Sequence, residues 1–207
     1  MIEVHHLNNS RSQRVLWCLE ELGVDYEIVK HLRDAQTNLA PESLKAVHPL
    51  GKAPVLRDGG DLMFESGAIL DYLVRKYGKG RLAPSPGSED WLRYNEFLHY
   101  AEGSAMLPVM MKLYLARLGD AAEPLLPRVH GEIDNNFGFL DAELAHRDYF
   151  VGSEFTAADI QLTFVIQAAR LLYGLQKFPK LAAFLERVQA RPAYQRAIER
   201  GGAYAFG

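Results

Sequence analysis

The stretch His48-Pro49-Leu50-Gly51-Lys52-Ala53-Pro54-Val55-Leu56, followed shortly by Phe64-Glu65-Ser66-Gly67, decides how the first part of this chain is read. Ala53-Pro54 stands at the head of an apolar run over 53–57. Proline cannot donate to a sheet ladder, so its place here predicts an edge, a bend or a cis peptide that exposes the amide and carbonyl of Ala53. Backbone exposed in that way can pair with a peptide ligand as an added strand does. Asp58-Gly59-Gly60 suits a hairpin turn into a second strand over 61–65. Ser66 then opens a helix whose apolar stripe is Ile69, Leu70, Leu73, Val74 and Tyr77, with Gly78 as its stop.

Upstream, residues 2–7 and 26–32 read as strands. Between them Val15, Leu16, Leu19 and Leu22 recur at helical spacing, and Gly23 stands where a left-handed cap would end the helix. The result is a βαβ unit with parallel strands, which puts the loop Asn8–Ser12 at the carboxyl end of the first strand, the edge of an open sheet that ligands favour. The amino-terminal unit is therefore βαβ, a short irregular or helical segment, then ββα.

Downstream, Gly78, Gly80 and Gly87 with Pro84 and Pro86 mark a break. The expected organisation is an α/β domain over 1–79, a linker over 80–88 and an all-helical domain over 89–207. Its helices are expected near 89–117, 123–145, 156–173, 179–190 and 192–200. One helix start is well specified: Thr156 can cap the Asp159 amide while the Asp159 carboxylate reaches back, and Phe155 can pack on Ile160. This box reads as folding chemistry rather than catalysis.

Composition narrows the function. The chain has 207 residues, 48% apolar, and 23 basic against 26 acidic side chains, a net charge of -3 that gives no general field for nucleic acid or an anionic membrane. No apolar run is long enough to span a bilayer and Met1–His6 lacks the character of a signal peptide, so a cytoplasmic protein is expected. The lone Cys18 excludes an intrachain disulfide and a Cys-x-x-Cys redox pair. Cys18 lies on or near the apolar stripe of the first helix, which favours a core thiol. His5 and His6 are successive strand positions, point to opposite faces and do not easily share a metal, so no metal site is expected.

Three segments converge at one sheet edge: Asn8–Arg14, His48–Leu56 and Phe64–Gly67. Free amides at the helix start near Ser66 attract a carboxylate, and the Ser66 hydroxyl adds a donor. Glu65 offers the opposite charge, so the pair suits a zwitterionic amino-acid group. Lys52 could hold a second carboxylate at the other end of the ligand. Each residue also has a plainer use: Ser10 can cap the first helix, Glu65 and Ser66 can cap the third, and Lys52 can be a solvated loop charge.

Here the chain resembles the cytosolic glutathione transferases, the serine-type bacterial ones among them. The likeness runs from Val4 through Ser10-Arg11-Ser12-Gln13-Arg14-Val15 and Glu20-Glu21-Leu22-Gly23 to the proline segment, Phe64-Glu65-Ser66, the capping box and the carboxyl-terminal helices. It implies a thioredoxin-like amino-terminal domain, an all-helical second domain and a homodimer. It also implies glutathione as co-substrate, with Ala53 holding the cysteinyl backbone before a cis Pro54, Glu65 and Ser66 the γ-glutamyl end, and Lys52 the glycine carboxylate. Aligning on Arg14-Val15 puts the catalytic serine of some classes at Asn9 and of others at Ser10; the order of expectation is Ser10, Asn9, Ser12. Met106, Met110 and Tyr114 fall on the long helix that lines the electrophile site in this family, and flexible thioethers suit a promiscuous apolar site.

The implied activity is attack of an ionised glutathione thiol on an apolar electrophile, with reduction of organic hydroperoxides an allied activity. Lowering a thiol from pKa ~8.5 to ~6.5 means stabilising its thiolate by roughly 2.7 kcal/mol, for which a hydroxyl donor and the first helix's amino terminus are the available sources. The alternative is a glutathione-binding regulator or scaffold of the same fold without turnover.

Overall fold

The computed structural model describes residues 1–206, which fall into two compact units: Met1–Ala83 with the residues from Gln189 onward, and Pro84–Val188.

The first unit is built on a four-stranded sheet in the order β2-β1-β3-β4. Strands β1 (Ile2–Leu7) and β2 (Tyr26–His31) run parallel, in register from Ile2 opposite Tyr26 to Leu7 opposite His31. Strand β3 (Val55–Asp58) pairs antiparallel with β1 and with β4 (Asp61–Phe64), with Val4 opposite Leu56 and Val55 opposite Phe64. Helix α1 (Ser12–Leu22) is the crossover between β1 and β2 and ends at Gly23, whose positive φ lets its amide close on the Leu19 carbonyl. Helix α2 (Glu42–Lys45) is a single turn, and α3 (Ser66–Tyr77) packs on α1. Val4, Val15, Leu16, Cys18, Leu19, Leu56, Ile69, Leu70 and Leu73 are fully buried in its core, where burial raises the Cys18 thiol far above its ordinary value.

The second unit is helical: α4 (Glu89–Tyr100), α5 (Met106–Leu115), α6 (Leu126–Glu143), α7 (Ala157–Leu172) and α8 (Pro179–Gln189). The single helix expected over 89–117 is interrupted by a wide π turn at Ala101–Ala105. Pro108 has no N–H for the carbonyl four residues before it and its ring crowds that carbonyl, so the chain widens in the preceding turn. At the start of α7 the Thr156–Asp159 box is formed in both directions. Asp159 accepts from the Thr156 amide at 2.7 Å and from the Phe150 amide at 2.9 Å. Complete burial nevertheless pushes its carboxyl up to about 6, against these hydrogen bonds.

Helix α9 (Pro192–Gly201) departs from the expected domain organisation. The sequence reading placed it in the helical domain, but it packs on α1 and belongs to the first unit. Its buried face, Ala193, Tyr194, Ala197 and Gly201, is mostly small, which lets the two backbones approach. Charge fixes its register. Arg191 makes a two-pronged pair with Glu21 at 2.6 and 2.9 Å, while Arg196 and Arg200 reach Glu20 at 2.8 and 2.7 Å. Burial raises the Glu20 carboxyl, but hydrogen bonds from Arg196, Arg200 and Tyr26 outweigh it and hold the group below its usual range.

Candidate functional site

The β4–α3 corner carries the clearest binding geometry. Glu65 sits at φ +69°, ψ +111°, a conformation that L residues rarely adopt, and its side chain is exposed and makes no capping bond to α3. Sparse backbone regions of this kind concentrate at ligand sites. The first helical bond runs from the Ile69 amide to the Glu65 carbonyl, so the amides of Ser66, Gly67 and Ala68 come before the helical ladder and face the positive end of its dipole. Ser66 is buried, and its Oγ accepts from Nη1 of Arg14 at 3.0 Å. An arginine can only donate, so in this bond the hydroxyl is the acceptor and its own proton is directed elsewhere.

Arg14 is a member of the site that sequence reasoning used only as an alignment anchor. It is 2% exposed, among the largest fully buried side chains of the molecule. The signal was its spacing: it precedes the fully buried Cys18 by one helical turn and so shares the inward face of α1.

The Ala53-Pro54 peptide bond is cis. The β3 ladder begins at Val55, so Ala53 stands outside it, half-buried, beside an exposed Lys52. Gly51 turns with φ +57°, and a Cβ there would meet the Lys45 side chain at 2.7 Å.

The β1–α1 loop carries the candidates for thiol activation. Ser10, the first candidate for thiol activation, is buried, with its Oγ accepting from the Ser12 amide at 3.2 Å and lying 2.7 Å from Ser12 Oγ. Ser12 Oγ in turn lies 2.9 Å from His6 Nδ1. Burial, with Lys30 nearby, pushes His6 down to about 4, against a hydrogen bond to the Gly201 backbone that raises it, so the ring is neutral at pH 7. Ser12 Oγ also donates to the Leu7 carbonyl and accepts from the Leu7 amide, both at 3.3 Å, so it ties Ser10 to the end of β1. The plainer reading of Ser10, that it closes the start of α1, describes this geometry.

Asn9 is half-exposed with φ +52°. Its Oδ1 accepts from the Ala205 amide at 2.7 Å. Arg33 clamps the same loop, donating through Nε to the Asn8 carbonyl at 3.1 Å and through Nη2 to the Asn9 carbonyl at 3.3 Å. Neither Arg33 nor Ala205 carries a sequence signal of this role. His5 is engaged on the other side of β1, its Nδ1 3.2 Å from Nε2 of His31.

In the helical unit, Met106 is buried, Met110 is half-buried and Tyr114 is 58% exposed.

Comparison with known proteins agrees with this architecture. Residues 4–84 match the glutathione S-transferase N-terminal domain and residues 103–192 the glutathione S-transferase C-terminal domain. The chain is 36% identical to glutathione S-transferase 3 of Schizosaccharomyces pombe over 97% of its own length and 88% of that protein's. A glutathione S-transferase crystal structure from Actinobacillus pleuropneumoniae superposes with a TM-score of 0.90 at 32% identity, covering 100% of this chain and 95% of that one. A sphingomonad glutathione S-transferase complexed with glutathione superposes with a TM-score of 0.81 at 27% identity, covering 97% and 98%. With both halves of the chain matched in sequence and fold, this protein belongs to the glutathione S-transferase family.

Proposed function

We propose that the first unit binds glutathione, ionises its thiol and delivers the thiolate to an apolar electrophile, the helical unit supplying the electrophile-binding face. The observation that carries this reading is the β4–α3 corner: three leading amides and Ser66 on the positive end of α3, with the Glu65 carboxylate held beside them by an unusual backbone conformation. Cation and anion receptors side by side suit the α-ammonium and α-carboxylate of the γ-glutamyl end. Ala53, outside its ladder before cis Pro54, would take the cysteinyl backbone, and Lys52 the glycine carboxylate. Met110 and Tyr114 are the partly or largely exposed candidates for the electrophile face, with Met106 shaping it from behind.

For the thiol itself the arrangement favours Asn9 over Ser10. The described contacts of Ser10 Oγ both run inward to Ser12, whereas among the described residues the Asn9 Nδ2 amino group has no partner. An Nδ2–H together with the start of α1 would stabilise a thiolate. The same thiolate would reduce organic hydroperoxides, two glutathiones giving the disulfide as the hydroperoxide gives alcohol and water; the sulfur comes from the ligand, because Cys18 is buried. A homodimer of the 23.3 kDa chain is proposed as well, supported by exposed Leu62 and Phe64 on β4, and sedimentation showing only the single-chain mass overturns it.

Retention on immobilised glutathione, thiolate absorbance of the bound ligand from pH 5 to 9, and turnover of an aromatic halide test the reading together. Retention with a depressed thiol pKa and turnover is the expected result. Retention with an ordinary thiol pKa and no turnover replaces it with a glutathione-binding regulator, and no retention overturns it.

A further inference from the structure

The carboxyl-terminal segment after α9 reaches the loop in which glutathione activation is proposed. Gly201 lies close enough to α1 and β1 that a Cβ would come within 2.8 Å of Gln13 Oε1 and 3.5 Å of His6 Cε1, and the Ala205 amide donates to Asn9 Oδ1 at 2.7 Å. The rings of Tyr204 and Phe206 lie 5.6 Å apart on either side of Ala205 in sequence.

One consequence follows from donor and acceptor chemistry alone. A backbone N–H only donates, so the atom of Asn9 facing Ala205 is the amide oxygen, and the Nδ2 amino group is turned to the other side. The same short segment thus presents the Asn9 donor.

We infer that residues 201–205 form a positioning element for glutathione activation, in which the Ala205 amide orients the Asn9 carboxamide so that Nδ2–H meets the bound thiolate. This rests on the glutathione-binding reading above. Ala205 does not touch the ligand; it acts through Asn9.

Ala205→Pro removes the N–H at an exposed position and tests the inference. Loss of one orienting hydrogen bond should lower kcat about fivefold and raise the bound-thiol pKa by about half a unit, leaving KM for glutathione within about twofold. Ala205→Ser, which restores the N–H, should rescue both quantities. In an Asn9→Ala background Ala205→Pro should have no further effect, because the group it orients is gone. A protein shortened after Gly202 provides a second variant and should repeat the Ala205→Pro result, with the thermal midpoint recorded for both. Wild-type thiol pKa and kcat in these variants, or an undiminished effect in the Asn9→Ala background, overturns the inference while wild-type glutathione binding leaves the functional reading standing. A wild-type protein that binds no glutathione overturns both.

Discussion

The two helix starts of the first unit are built in opposite ways. At α3 the polar groups belong to adjacent residues, Glu65, Ser66 and Gly67, and one buried partner, Arg14, supports them from behind. At α1 the residues of the loop are held by partners far away in sequence: Arg33 on its carbonyls and Ala205 on Asn9. The first arrangement makes a binding site that its own short motif describes. The second makes a site whose chemistry depends on where distant donors and acceptors lie, which residue type alone does not give.

The sharpest way to break this contrast is to remove the support at α3. Arg14→Ala deletes a side chain that is 2% exposed and takes a donor from Ser66. A cavity with a lost charge-assisted hydrogen bond should cost about 3 kcal/mol of stability, read from urea unfolding. Glutathione affinity should fall about tenfold by calorimetry, since Ser66 loses its fixed orientation. If both stay at wild-type values, the α3 corner is self-sufficient and Arg14 is packing alone.

At α1 the corresponding probe is pH. The His6 imidazole is lowered from 6.5 to about 4 in the folded protein. The unfolded chain therefore binds the proton first as pH falls, so this group's contribution is present above about 6.5 and is lost between 6.5 and 4. The whole window corresponds to about 3 kcal/mol. An imidazole NMR titration should leave His6 neutral down to about pH 4, with unfolding free energy decreasing across the same range. A His6 that titrates near 6.5 breaks the reading of this ring as buried and neutral beneath the loop.

Glycines provide a further comparison of crowded and open regions. A Cβ on Gly201 would meet Gln13 Oε1 at 2.8 Å and Leu16 Cδ1 at 3.1 Å, whereas one on Gly138 in α6 would meet nothing within 4 Å. Gly201→Ala should destabilise by about 1–2 kcal/mol as α9 is pushed from α1. Gly138→Ala should stabilise by about 0.5–1 kcal/mol through helix propensity. Equal shifts in thermal midpoint would mean that α9 is not closely docked.

The sequence was most legible where order along the chain equals order in space. The βαβ unit, the hairpin at Asp58–Asp61, the Gly23 cap and the Thr156–Asp159 box all rest on residues within a few positions of one another. The break in the long helix was readable in principle, since Pro108 marks it, but uninterrupted apolar spacing on both sides hid it. The attachment of α9 to the first unit was not readable. Its amphipathic pattern says only that one face is buried, and the matching acids, Glu20 and Glu21, lie some 170 residues away. The same distance hid Ala205, which acts through a backbone amide that no side chain announces.

The smallest expected effect separates the two loop candidates most directly. Ser10→Ala removes an acceptor for the Ser12 amide and the hydrogen bond with Ser12 Oγ, both within a buried chain. Its cost should be about 1 kcal/mol of stability, as for a lost helix cap, with the bound-thiol pKa unchanged. Asn9→Ala removes a half-exposed side chain whose only described bond is to Ala205, so stability should change by less than about 0.5 kcal/mol. Its effect should appear in the thiol pKa, raised by up to about one unit, and in kcat. Stability and activation would then divide cleanly between adjacent residues, because one side chain spends its hydrogen bonds inside the protein and the other keeps a donor for the ligand. The reverse division, with Ser10→Ala raising the thiol pKa and Asn9→Ala silent, would require Ser10 to turn its proton from Ser12 to the thiolate when glutathione binds and would restore Ser10 as the first candidate.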